Sequence, residues 1–105
     1  MSPKKTADSG LIHPSADVSA DSSIGVGTRV WQFSVVGRGA RIGRGCNIGA
    51  HCYIEGGSVI GDNVTVKNDV AVWEGVEVQE GVFIGPNAVF TNDLLPRSAR
   101  LAEAK

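Results

Sequence analysis

The sequence is poor in most of the residues that announce a chemistry. It has two cysteines, Cys46 and Cys52, with no Cys or His at ligand spacing, so neither a disulfide framework nor a zinc site is expected. It has two histidines, His13 and His51, set far apart, which is too few for a site that needs three converging imidazoles, and no metal is expected. Lysine plus arginine number 10 against 11 acidic residues, so the net charge of −1 gives no electrostatic reason to expect nucleic acid or an acidic membrane as partner. No apolar run approaches a membrane span or a signal sequence, and the expectation is a soluble, cytoplasmic protein. No Ser/His/Asp set is apparent. Glycine-rich strings such as Gly37-Arg38-Gly39 recur too regularly to be phosphate loops. At 105 residues the chain makes one domain.

What the chain does have is a period. From Ile12 to Phe90 a branched or aromatic apolar residue falls on every sixth position: Ile12, Val18, Ile24, Val30, Val36, Ile42, Ile48, Ile54, Ile60, Val66, Val72, Val78, Ile84, Phe90. Two residues before each stands a second, uncharged series that includes Thr28, Ser34, Cys46, Cys52, Ser58 and Val64. Six matches neither a helix nor a plain alternating strand; it is the repeat of a parallel β-helix. Each hexad supplies a short strand whose i and i−2 side chains face inward, followed by a corner. Three hexads make a triangular coil, so fourteen give four to five coils, all-β, spanning residues 10–93. Residues 1–9 read as a flexible tail, and 94–105 as a cap in which SARLAEAK (residues 98–105) could form a short helix.

The corners need residues that accept positive φ, and position i+3 supplies them: Gly27, Gly39, Gly45, Gly57, Asn63, Asp69, Gly75, Gly81, Asn87 and Asp93. Phe33 and His51 are the exceptions in residue type from Val30 onward, and they share one corner column.

Residues eighteen apart are neighbours on adjacent coils, about 5 Å from one another, which turns the sequence into a surface map. One outward column reads Ala20, Arg38, Gly56, Glu74, Asn92; beside it runs Ser19, Gly37, Glu55, Trp73, Thr91. On the same face Val35, Tyr53, Ala71 and Val89 form an apolar stripe that suggests a subunit contact. Carboxylate, amide and indole beside such a boundary make Glu74, Asn92 and Trp73 the best candidate pocket, although a solvated rim charge and a turn amide would produce the same pattern. His51 is a second candidate, because an imidazole can act as a base near neutral pH. The column Val26, Arg44, Asp62, Glu80 reads as a surface ion-pair ladder.

Two segments, Thr28 to Val36 (TRVWQFSVV) and Val72 to Ser98 (VWEGVEVQEGVFIGPNAVFTNDLLPRS), together with the opening Ile12-His13-Pro14-Ser15-Ala16, resemble the bacterial nucleotide-sugar N-acetyltransferases that acetylate amino sugars for surface polysaccharides. The resemblance implies a left-handed helix, a homotrimer, acetyl-CoA as donor and a dTDP- or UDP-linked amino sugar bound between subunits. It implies that the sugar amine attacks the thioester without a dedicated histidine base. Asn92 would orient the reacting groups and Glu74 would contact the sugar or amine. Asp93 and Arg97 are secondary candidates, Arg97 as a partner for nucleotide phosphates; Trp73 and His51 complete the expected substrate-binding set. Members of that family continue for several further coils, so the chain is expected to be a shortened relative. Three outcomes are compatible with that: a sugar N-acetyltransferase, a non-catalytic trimeric binding or scaffold module, and short trimers stacked end to end.

Overall fold

The computed structural model describes residues 10–90. Every hexad forms a two-residue strand at positions i−1 and i. In chain order these are β1 (Leu11–Ile12), β2 (Asp17–Val18), β3 (Ser23–Ile24), β4 (Arg29–Val30), β5 (Val35–Val36), β6 (Arg41–Ile42), β7 (Asn47–Ile48), β8 (Tyr53–Ile54), β9 (Val59–Ile60), β10 (Thr65–Val66), β11 (Ala71–Val72), β12 (Glu77–Val78), β13 (Phe83–Ile84) and β14 (Val89–Phe90). They stack into three parallel sheets, β1-β4-β7-β10-β13, β2-β5-β8-β11-β14 and β3-β6-β9-β12. Partners lie eighteen residues apart throughout, as in Val30↔Ile48 and Tyr53↔Ala71. The result is an all-β parallel solenoid of more than four coils, consistent with the left-handed β-helix expected of hexapeptide repeats. The terminal segments 1–9 and 94–105, with the short helix expected in the latter, lie outside the described residues.

The inward column is the core. Val30, Val36, Ile48, Ile54, Val66 and Val72 are at most 1% exposed, and each such side chain contributes about 1.5–3 kcal/mol relative to an exposed one. The smaller inner series does a second job where it carries hydroxyls. Ser34 is buried; its Oγ donates to the Gly49 carbonyl at 2.6 Å and accepts from the Cys52 N–H at 3.0 Å. Thr28 Oγ1 does the same one corner earlier, donating to the Gly43 carbonyl at 2.6 Å and accepting from the Cys46 N–H at 3.0 Å. Each hydroxyl thus ties its own coil to the next at a corner, where the strand ladder is interrupted. Buried polar atoms are tolerated only when paired in this way.

The cysteines continue these two columns and are free and buried. Their thiols donate to carbonyls of the following coil, Cys46 to Gly61 at 3.1 Å and Cys52 to Lys67 at 3.0 Å. Burial pushes both thiols above their ordinary pKa. The reactive thiolate is therefore scarcer than in a free cysteine up to pH values above the usual thiol range. Alkylation of the native protein at pH 8 is expected to run about a hundredfold or more below the rate in denaturant; labelling at the rate of a free thiol would show that the corners open readily.

Candidate functional site

Glu74 and Trp73 sit on the corner between the second and third sheets, just after β11. The column order read from the sequence places Glu55 one coil earlier beside Trp73, and the structure gives that carboxylate a task. Glu55 Oε1 accepts from the Glu74 backbone N–H at 2.7 Å, fixing the corner that carries Glu74. Gly57, at φ +86° on the preceding coil, leaves the space over which Glu74 lies; a Cβ there would stand 3.1 Å from Glu74 Cγ. The Trp73 ring packs on Tyr53 with centroids 5.5 Å apart and planes tilted by 59°, an edge-to-face style of contact. The apolar stripe is in register along the second sheet, Val35 on Tyr53 on Ala71 on Val89. Tyr53 is exposed at 39%, whereas Val35 and Ala71 are half-buried. The corner therefore presents two carboxylates, Glu55 and Glu74, beside an indole and a phenol. The cation in the column, Arg38, is paired to Asp21 at 3.0 Å. The Ser19 hydroxyl, followed by Arg38, holds the Asp21 carboxyl below its usual range. Asn92, Asp93 and Arg97 lie outside the described residues.

His51 occupies a different corner, between the first and second sheets, across the second sheet from Glu74. There the structure adds what residue type alone did not show. Phe33 and His51 take the same left-handed conformation as the glycines, at φ 60° and 59°. They stack on each other with centroids 5.1 Å apart. Every other described positive-φ position is Gly, Asn or Asp. A bulky side chain in this conformation costs on the order of 1–2 kcal/mol, and one ring contact returns about 0.5–1.5 kcal/mol, so two such residues are not explained by their mutual packing. Both are exposed, Phe33 at 59%.

The column read as an ion-pair ladder is not one. Asp62 turns onto the backbone, its Oδ1 accepting from the Arg44 N–H at 2.9 Å, and the ion pair among the described residues is Arg38–Asp21. A carboxylate one coil above a corner N–H gains a charge-assisted hydrogen bond to the backbone of its neighbour, whereas an exposed ion pair is worth little. Among the described residues no three His, Cys, Asp or Glu side chains are grouped to hold a metal, and no helix is long and apolar enough to cross a membrane.

The family profile of the bacterial transferase hexapeptide (six repeats) matches residues 21–56 and 57–92. No curated protein matches by sequence. Among solved structures, a variant of perosamine N-acetyltransferase from Caulobacter crescentus, in complex with CoA and GDP-perosamine, is similar at 23% identity and TM-score 0.58 over 85% of this chain and 50% of that one. PerB from Caulobacter crescentus, with the same two ligands, is similar at 23% identity and TM-score 0.57 over 85% of this chain and 51% of that one. The likeness is one of fold, and this chain spans about half the length of either protein.

Proposed function

The chain belongs to the bacterial transferase hexapeptide family, and from that premise we propose that it serves acetyl transfer from acetyl-CoA to the amine of a nucleotide-linked amino sugar, as a homotrimer in the cytoplasm, for surface-polysaccharide synthesis. The observation that carries this reading is the corner at Trp73 and Glu74. A carboxylate on a backbone-anchored turn, beside an indole and next to an apolar stripe, suits a sugar amine. The stripe of Val35, Tyr53 and Ala71 is the surface on which a sister subunit would close the site.

In this reading the amine nitrogen attacks the thioester carbonyl, the carbon–sulfur bond breaks, CoA leaves as its thiolate, and the proton lost by the amine passes to that sulfur, giving the acetamide and free CoA. Glu74 holds the amine by a charge-assisted hydrogen bond and aligns it, and Trp73 shields the sugar face from water. Asn92 orients the reacting groups, and Asp93 contributes to the same edge. His51, on another corner of the same chain, takes no part in the proton transfer. Acetyl-CoA supplies the activated acyl group. Its phosphates fit the described residues of this corner poorly, since Glu55 and Glu74 repel them and Arg38 is already paired; Arg97 is the proposed cationic partner.

That charge balance favours one second reading, a module that binds the sugar nucleotide without transferring an acyl group. Calorimetric titration separates the two. Transfer requires saturable binding of CoA to the assembled protein. Sugar-nucleotide binding with a flat CoA titration would establish the binding module instead.

A further inference from the structure

The aromatic corner at Phe33 and His51 is unused by the proposed chemistry, and we infer that it is a stacking platform for a nucleobase bearing exocyclic carbonyl groups, as in uridine, thymidine or guanosine nucleotides. Three observations meet there. Two exposed rings are held in a backbone conformation that glycine, asparagine or aspartate occupies at every other described positive-φ corner, and they face each other at 5.1 Å. Strain kept in place for a side chain that is not buried points to a use outside the fold. Alongside runs a groove of about 260 Å³ lined by Trp31, Gln32, Asn47, Ala50, Lys67 and Asn68. Gln32 and Ala50 are the chain neighbours of Phe33 and His51, and the Gln32 carbonyl accepts from the His51 N–H at 3.0 Å, so groove and platform form one surface.

The groove's amides are polarised. Asn47 Oδ1 accepts from Trp31 Nε1 at 2.9 Å, and Asn68 Oδ1 accepts from the Ala50 N–H at 3.0 Å. With both carbonyl oxygens engaged inside the chain, each asparagine offers its NH₂ as a donor. Donors match the carbonyl edge of uracil, thymine or guanine better than the amino edge of adenine. Lys67, exposed in the same groove, gives the positive charge that a nucleotide phosphate needs. Stacking on aromatic rings is how proteins commonly hold unpaired bases.

The inference takes the base to be that of the proposed sugar-nucleotide substrate, but its test needs no acetyl transfer, so failure of one leaves the other standing. UDP, GDP, ADP and ribose 5-phosphate are titrated into the parent protein and into Phe33→Asn and His51→Asn, with sedimentation and thermal melting run on each. Asparagine accepts positive φ, so both variants are expected to melt no lower than the parent. UDP or GDP is expected to bind at least tenfold more tightly than ribose 5-phosphate and more tightly than ADP, and to lose roughly tenfold in affinity in Phe33→Asn. The inference is overturned if ADP binds as well as UDP and GDP, or if the variants keep full nucleotide affinity. Dissociation of the oligomer as the only change would likewise overturn it, assigning the rings to a subunit contact.

Discussion

Replacing Gly25 by alanine is expected to destabilise the protein by on the order of 3 kcal/mol, the upper range for forcing an extra methyl into a packed structure. The coils stack so closely at this corner that a Cβ on Gly25 would lie 2.6 Å from the carbonyl carbon and oxygen of Gly43 and 2.7 Å from the Arg44 nitrogen. All three are backbone atoms of the next coil. They cannot rotate aside as a side chain could, so relief requires the coil spacing to open and the ladder bond from the Gly25 N–H to the Ile42 carbonyl, at 2.9 Å, to stretch with it. Gly39 is the control. At φ +75° a Cβ there meets nothing within 4 Å among the described residues, and Gly39→Asn, a residue that accepts positive φ, is expected to leave stability within about 1 kcal/mol of the parent. Denaturant melts of the two variants should separate clearly; equal midpoints would mean that the coils are not packed as described.

The larger functional effect belongs to Glu74. Glu74→Gln is expected to lower acetyl transfer about a hundredfold, the scale on which misalignment of a reacting group costs rate, while leaving stability within about 0.5 kcal/mol. The separation is possible because Glu55 holds the backbone N–H of residue 74, not its side chain, so the corner keeps its anchor when the carboxylate is lost. Glutamine preserves length and shape and removes the charge that would hold an ammonium or developing ammonium. A merely solvated rim carboxylate would give unchanged kcat/KM, and a general loss of fold would lower the melting temperature along with the rate.

The sixfold spacing carried nearly all of the described architecture. It places a strand at each hexad from Leu11–Ile12 to Val89–Phe90, and three hexads per coil gives the eighteen-residue register seen in pairs such as Tyr53↔Ala71. This works because a solenoid has one local rule repeated, and each repeat meets only its neighbours. The rule says which residues are adjacent; it does not say where their polar atoms turn. Asp62 and Glu55 both look like surface charges by spacing, yet each reaches a backbone N–H on the following or preceding coil. Ser34 looks like a small filler of the core and is a bridge between coils. Phe33 and His51 look like interruptions of the corner pattern, and the backbone imposes the corner conformation on them regardless. For the site, adjacency of Glu55, Trp73 and Tyr53 was legible from the columns, while the ring contact and the anchoring of Glu74 needed coordinates.

Acetyl transfer itself is the most direct measurement. Release of free CoA thiol from acetyl-CoA would be followed with UDP- and dTDP-linked amino sugars as acceptors, the acetamide product being identified by mass spectrometry. Thiol release that depends on the sugar amine, and falls about a hundredfold in Glu74→Gln, is the predicted result. Absence of product with every amino-sugar nucleotide, from a folded protein that also fails to bind CoA, would contradict it.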